Sequence, residues 1–246
     1  MKESIPSIKM FASEDIRSEL HIEHNTDTPE FKKRVETFCR EVLISENRLD
    51  SGNFAHVFAK EDTYEGLCFK KLKPLTEPYN SVHEEGKILN HIRGFRSDLV
   101  RVPVAHLSAE QYATDSNGKT VKRRLLVMEK IDGVSLRDVF APESESRRKE
   151  LPKNFNPKEY FSSLKSFFEV LHTEKGVYHR DVSMGNLMID VHGRPAVIDF
   201  GESFWGDAEE GFDQYGRHSN AVGNEDIDLK KLALIEEQIL KILDKN

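Results

Sequence analysis

Two stretches decide how this chain folds: residues 177–190, Val-Tyr-His-Arg-Asp-Val-Ser-Met-Gly-Asn-Leu-Met-Ile-Asp, and residues 196–201, Ala-Val-Ile-Asp-Phe-Gly. Asp181 follows His179 and Arg180, Asn186 comes five residues later, and Asp199 thirteen after that, leading Phe200 and Gly201. The periodicity of residues 158–174 predicts a long helix before them, and Val197-Ile198 reads as a short buried strand. An acid, an amide and a second acid therefore fall on loops between short elements, where side chains are held by a scaffold yet remain open to a ligand. Taken singly each has a plainer reading, Asp199 as a turn residue, Asn186 as a cap and Asp181 in a surface ion pair. The fixed spacing of the set in this context argues for a shared site.

This set resembles the protein-kinase superfamily, with His179-Arg180-Asp181, Asn186 and Asp199-Phe200-Gly201 at the spacings its catalytic half uses. The resemblance implies an α+β, two-lobed fold with a β-rich N-lobe and a truncated helical C-lobe ending after the helix that follows the activation segment. It also implies ATP and Mg2+ as cofactors. Phosphoryl transfer needs positioning and charge neutralisation more than covalent chemistry. By resemblance, Asp181 orients the attacking hydroxyl, Asp199 holds the magnesium, and Asn186 completes the metal shell without adding charge.

The remaining parts can be sought in their expected order. Residues 49–73 carry strand texture, and Leu67-Cys68-Phe69-Lys70 matches the family's lysine strand. Cys68 then lies over the adenine and Lys70 neutralises the α- and β-phosphates, while Lys71 faces solvent. A helix over 81–92 offers Glu85 as the partner of Lys70, since Leu89 falls one turn later on the core side; Glu84 is the alternate. Residues 49–57 align with the phosphate-cradling loop, but only Gly52 remains of its glycines, with Asp50 and Ala55 in the other positions. Phe54 keeps the aromatic tip and Val57 the position over the base. Met128, Glu129 and Ile131 line the adenine pocket at the interlobe hinge, the segment 129–131 by backbone hydrogen bonds. Asp228 resembles the buried acid that supports the catalytic loop.

Composition sets outer bounds. The chain has 246 residues, 37% hydrophobic and 32% charged, with 15 Phe, enough for its own core. A net charge of −7 and a pI near 5.8 argue against a nucleic-acid binder. Two cysteines, Cys39 and Cys68, exclude a disulfide framework and fit a reducing compartment. No stretch approaches a membrane span. The expected location is the cytoplasm, or a host's cytoplasm if the chain is a pathogen's effector. The expected domains are an N-terminal helical extension 1–48, an N-lobe and hinge 49–131, and a minimal C-lobe 132–246. Phe31, Val35, Phe38, Val42 and Leu43 give the extension an amphipathic helix that packs on the domain or docks a partner. Strands are expected over 100–107 and 124–128, with a turn at 115–118. A charged loop follows at 141–157, a polar loop at 202–224, and a closing helix at 225–243 with Leu229, Leu232, Ala233, Ile235, Ile239 and Leu240 on its apolar face.

Ser183 stands where serine/threonine kinases usually carry a lysine, no Ala-Pro-Glu-like end to the activation segment is found, and one helix remains beyond it. These departures resemble RIO kinases, the small kinase of the KEOPS complex and effector mini-kinases of pathogenic bacteria. The leading expectation is a minimal serine/threonine protein kinase acting on a protein substrate. Its alternatives are a small-molecule or glycan kinase, and a kinase-fold binding module or slow ATPase. Ser203, Tyr215 and Ser219 are candidate phosphate acceptors in the activation segment.

Overall fold

The fold is known from a computed structural model, which describes residues 23–24, 29–73, 80–95, 97–114, 118, 120–142, 146, 148–205 and 225–245. The first 22 residues, most of the expected turn at 115–118, and the polar loop from 206 to 224 with Tyr215 and Ser219 lie outside the described residues. The chain divides into two compact units, one of residues 1–90 and 104–130, the other of 91–103 and 131–246. This departs from the expected boundaries in two places. Helix α1 (Pro29–Glu41) belongs with the first unit's sheet, and residues 91–103 go with the second unit.

The first unit is a six-stranded sheet in the order β1-β5-β6-β4-β3-β2, built from β1 (Glu23–His24), β2 (Arg48–Ser51), β3 (Ala55–Phe58), β4 (Leu67–Leu72), β5 (Ala105–Thr114) and β6 (Thr120–Glu129). All its pairs are antiparallel except β1 with β5. The strand expected over 100–107 begins only at Ala105, because Pro103 cannot donate to a ladder and Arg101, itself part of the second unit, bridges Ala196 within that unit. Helix α1 forms because Phe31, Val35 and Phe38 recur every three to four residues and bury one face, which Val42 continues just past the helix end. That face meets Phe58, Tyr64, Phe69, Leu107, Leu125 and Val127 in one core cluster. Phe38 packs edge-to-face on both Tyr64 and Phe69, with centroids 5.5 and 5.1 Å away. Tyr64 donates its hydroxyl to Glu41 at 3.4 Å; burial, then the charge of Glu41, push its pKa up to about 12. Helix α2 (Val82–His91) joins the same unit, its first turn capped by Ser81, whose hydroxyl accepts the Glu84 N–H.

In the second unit, β7 (Gly133–Ser135), β9 (Leu187–Asp190) and β10 (Pro195–Val197) form a three-stranded sheet, and β8 (Val177–Tyr178) pairs with β11 (Phe204–Trp205). Residues 91–103 attach here because Arg101 exchanges backbone hydrogen bonds with Pro195 and Val197 at 3.0 and 2.9 Å. Helix α3 (Leu136–Phe140) is capped by Ser135. Helix α4 (Pro157–Lys175) starts at Asn156, whose side chain accepts the Lys158 and Glu159 N–H groups, and stops at Gly176 in the left-handed region, φ 61°. Tyr160, Phe161, Leu164, Phe167, Phe168 and Leu171 make its buried face. Helix α5 (Glu225–Leu243) buries Asp228, Leu232, Ile235 and Ile239. Ala233 and Leu240, expected on that face, are exposed, because the row that includes Asp228 is the one turned inward. Among the described residues no helix is long and apolar enough to cross a membrane.

Candidate functional site

In the first unit, β4 presents alternate residues to opposite faces, so Lys70 and Phe69 diverge. Phe69 goes to the α1 side, and Lys70 reaches α2. Its Nζ lies 2.8 Å from each carboxylate oxygen of Glu85, and both side chains are almost wholly buried. Such a pair is costly to desolvate and strongly destabilising when one partner is removed. Glu84 instead binds Lys87 at the surface, and Lys71, expected to face solvent, is half-buried. Val57 stands opposite Lys70 on β3, and Cys68 opposite Met128 on β6. The Cys68 thiol donates to the Glu129 carbonyl at 3.6 Å, and burial pushes its pKa up to about 12. Along 129–131, the Glu129 and Lys130 N–H groups donate to Val104 and Gly66, both at 2.8 Å. Two of the three backbone N–H groups of this segment are thus engaged within the unit.

The tip of the β2–β3 hairpin is closed by the Gly52 N–H on Ala55 O at 3.0 Å. Gly52 and Phe54 are exposed there, and Lys73 reaches the Gly52 carbonyl with its Nζ. Asp50 turns its carboxylate onto the Ser51 N–H at 2.7 Å.

In the second unit the loop after β8 carries Asp181. Asn186 Nδ2 donates to the Asp181 carbonyl at 2.9 Å and to its Oδ2 at 2.8 Å. The Asn186 amide nitrogen is thereby spent, which leaves its Oδ1 as the atom open to a cation. Asp199 is placed by its neighbour Ile198, whose N–H donates to Asn186 O and whose carbonyl accepts from His179 Nε2, both at 3.0 Å. His179 Nδ1 accepts the Asp181 N–H at 3.3 Å, so the ring carries its proton on Nε2. Phe200 is fully buried edge-on to His179. Among the described residues, two hold positive φ without being glycine, Arg180 at 66° and Asp199 at 63°. Backbone of this kind persists only where its surroundings over-determine it.

Those surroundings centre on Asp228. Its buried carboxylate accepts the His179 and Arg180 N–H groups at 2.7 Å and His172 Nε2 at 3.1 Å. Burial alone pushes its pKa up, but the hydrogen bond from His172 and the neighbouring His179 outweigh it and hold the carboxyl below its ordinary value. Lys231, one turn on, donates to the Arg180 carbonyl, and the Arg180 guanidinium lies over Phe204, 5.2 Å from its centroid. Phe204 stacks on Tyr178 and Tyr178 on His172. His172, Lys231 and Phe204 escaped the sequence reading. Only Lys231, three residues from Asp228 on a helix, carried a local signal. Ser203, a candidate phosphate acceptor, is fully buried and donates to His179 O at 3.2 Å.

Asn186 Oδ1 and the Asp199 carboxylate are hard oxygen donors, the type a divalent cation of the magnesium class takes together with phosphate oxygens. Among the described residues there is no cluster of three or more His, Cys, Asp or Glu that could hold a metal ion.

Comparison with known sequences agrees with this geometry. The family described as "Protein kinase domain" matches residues 44–216. Two relatives from Oryza sativa subsp. japonica are similar over 81 residues, a third of this chain. CBL-interacting protein kinase 3 is 35% identical there and CBL-interacting protein kinase 31 is 33% identical. The match spans only 17% and 16% of those proteins' lengths.

Proposed function

Since the chain belongs to the protein kinase family, we propose that it transfers the γ-phosphate of ATP to a serine or threonine hydroxyl of a protein substrate. The observation that carries this reading is the Asp181–Asn186 clasp, which aims a carboxylate and frees an amide oxygen in one loop. Asp181 orients the acceptor hydroxyl and takes its proton as the new P–O bond forms and the bond from the γ-phosphorus to the β–γ bridging oxygen breaks, releasing ADP. Lys70, held straight by Glu85, neutralises the α- and β-phosphates. Magnesium on Asn186 and Asp199 would supply neutralisation of the developing phosphate charge. Gly52, Phe54 and Val57 cover the nucleotide, with Cys68, Met128, Glu129 and Ile131 around the base. The minimal type, similar to RIO kinases and bacterial mini-kinases, is supported by Ser183 two residues after Asp181. Helix α1 packs into the sheet through its apolar face, so a protein partner of that helix would read its charged face instead.

The test is transfer of labelled γ-phosphate from Mg-ATP to casein, myelin basic protein and a cell lysate, for wild type, Asp181→Ala and Asp199→Ala. Protein label lost in both variants supports the reading. ADP release that depends on a small acceptor, without protein label, replaces it with a small-molecule or glycan kinase. Nucleotide binding without any transfer replaces it with a binding module.

A further inference from the structure

Resting on the kinase reading above, we propose that His83 and Ser108 are a positioning pair, whose hydrogen bond fixes the roll of α2 and so holds Glu85 against Lys70. His83 Nδ1 lies 2.7 Å from Ser108 Oγ, and Ser108 is fully buried. Ser108 stands opposite Leu126 on β6, and Leu126 stands opposite Lys70 on β4. The three residues form one cross-strand row on one face of the sheet. Lys70 and Ser108 are two strands apart in that row, a separation of roughly 10 Å.

Helix α2 is tied to both ends of the row. His83 and Glu85 are two positions apart, which sets them about 200° apart around the helix axis. They leave on opposite flanks, His83 toward β5 and Glu85 toward β4, with the fully buried Leu126 in the row between. A helix tied on one flank can roll about its axis; a second tie on the other flank removes that freedom. The restraint matters because α2 has only 10 residues, too few to hold its own position without tertiary contacts. Roll would carry Glu85 away from Lys70, and Lys70 would lose the partner that keeps its ammonium extended.

The experiment uses the full chain with His83→Leu, His83→Asn, Ser108→Ala, Glu85→Gln and the Ser108→Ala/Glu85→Gln double variant. It reads amide hydrogen exchange, melting temperature, and kcat and KM for ATP. Loss of the pair by His83→Leu or Ser108→Ala should speed exchange of the amides of residues 86–90 about fivefold, the worth of one net hydrogen bond. Exchange in α1 should not change. The kcat/KM for ATP should fall in both, and the double variant should match Glu85→Gln alone, because roll has no further effect once the ion pair is gone. His83→Asn, whose amide puts a polar atom where Nδ1 was, should restore both readouts. Unchanged α2 exchange in His83→Leu and Ser108→Ala overturns the proposal, and so does full additivity with Glu85→Gln, which a merely structural bond would give. If the wild type transfers no phosphate, the kinase reading fails by itself. The exchange data, which need no turnover, still decide whether the pair holds the helix.

Discussion

The carboxylate of Asp228 holds the backbone N–H of Arg180 at 2.7 Å, and Arg180 is, among the described residues, one of two non-glycine residues at positive φ. The carboxylate therefore keeps the loop in a conformation it would otherwise leave. Asp228→Asn puts an amide N–H against one of three donors, His172, His179 or Arg180. We expect a loss of about 3 kcal/mol in urea unfolding, the cost of breaking a buried charged network. Phosphate transfer should fall more than in proportion to the folded fraction. Full stability in this variant would mean the loop holds itself.

Asp228 also sets an acid limb. Its folded pKa lies below the ordinary 3.8. The stability it contributes is fully present above the unfolded value and is lost as pH falls through the folded one. Urea titrations from pH 6 to pH 2.5 should show wild type losing stability in the lowest part of that range, with the loss smaller in Asp228→Asn. Equal slopes would refute the assignment.

Cys68 acts at the other end of the pH scale. Its thiol keeps its proton to about 12 in the folded chain, against an ordinary value of 9.0. The unfolded chain gives up that proton first, so this contribution is present below pH 9 and is lost as pH rises toward 12. Iodoacetamide at pH 8.5 should alkylate the half-buried Cys39 before the buried Cys68. Replacing Cys68 by Ala should flatten the alkaline fall in stability. Prompt alkylation of Cys68 in the native protein would show that the thiol is not enclosed as described.

Helix α1 gives a stability prediction that separates core from site. Phe38 is buried against Tyr64 and Phe69, on the face of β4 opposite Lys70. Phe38→Ala should cost about 3–4 kcal/mol by urea unfolding, as truncated core aromatics do. At low temperature, where the variant stays folded, nucleotide binding should persist. A cost under about 1 kcal/mol would mean the helix is only lightly attached.

What could be read in advance followed local spacing. The loop 179–186 and the run 199–201 are short and dense, and the resemblance they carry, not the spacing around Lys70, pointed to Glu85 as its partner. The contacts that hold them were not legible. His83 and Ser108 are 25 residues apart and neither belongs to a pattern. The periodicity of α1 announces an apolar face but not the surface it meets. In α5 the apolar residues spread around the helix, so hydropathy favoured Ala233 and Leu240. The burial was decided instead by Asp228, which had to face the loop it supports. Residues 91–103 read as part of the first unit because they lie between its elements in sequence. Long-range contacts, the bridge of Arg101 to Ala196 and the packing of Phe95 on Phe167, assign them to the second.

The φ of 63° at Asp199 implies that the site stores backbone strain. An L-residue in the left-handed region costs roughly 1–2 kcal/mol, which glycine escapes. Asp199→Ala and Asp199→Gly both remove the carboxylate and its bond from the Gly201 N–H. They differ in whether the strain stays. Both should fail to transfer phosphate. The Gly variant should nevertheless be the more stable of the two by about 1 kcal/mol, even after the extra entropy it gives the unfolded chain. Urea midpoints of the two variants, compared at equal slope, measure the difference directly. If the Ala variant were as stable as the Gly variant, Asp199 would be unstrained, and the loop would not be holding a carboxylate where the backbone alone disfavours it.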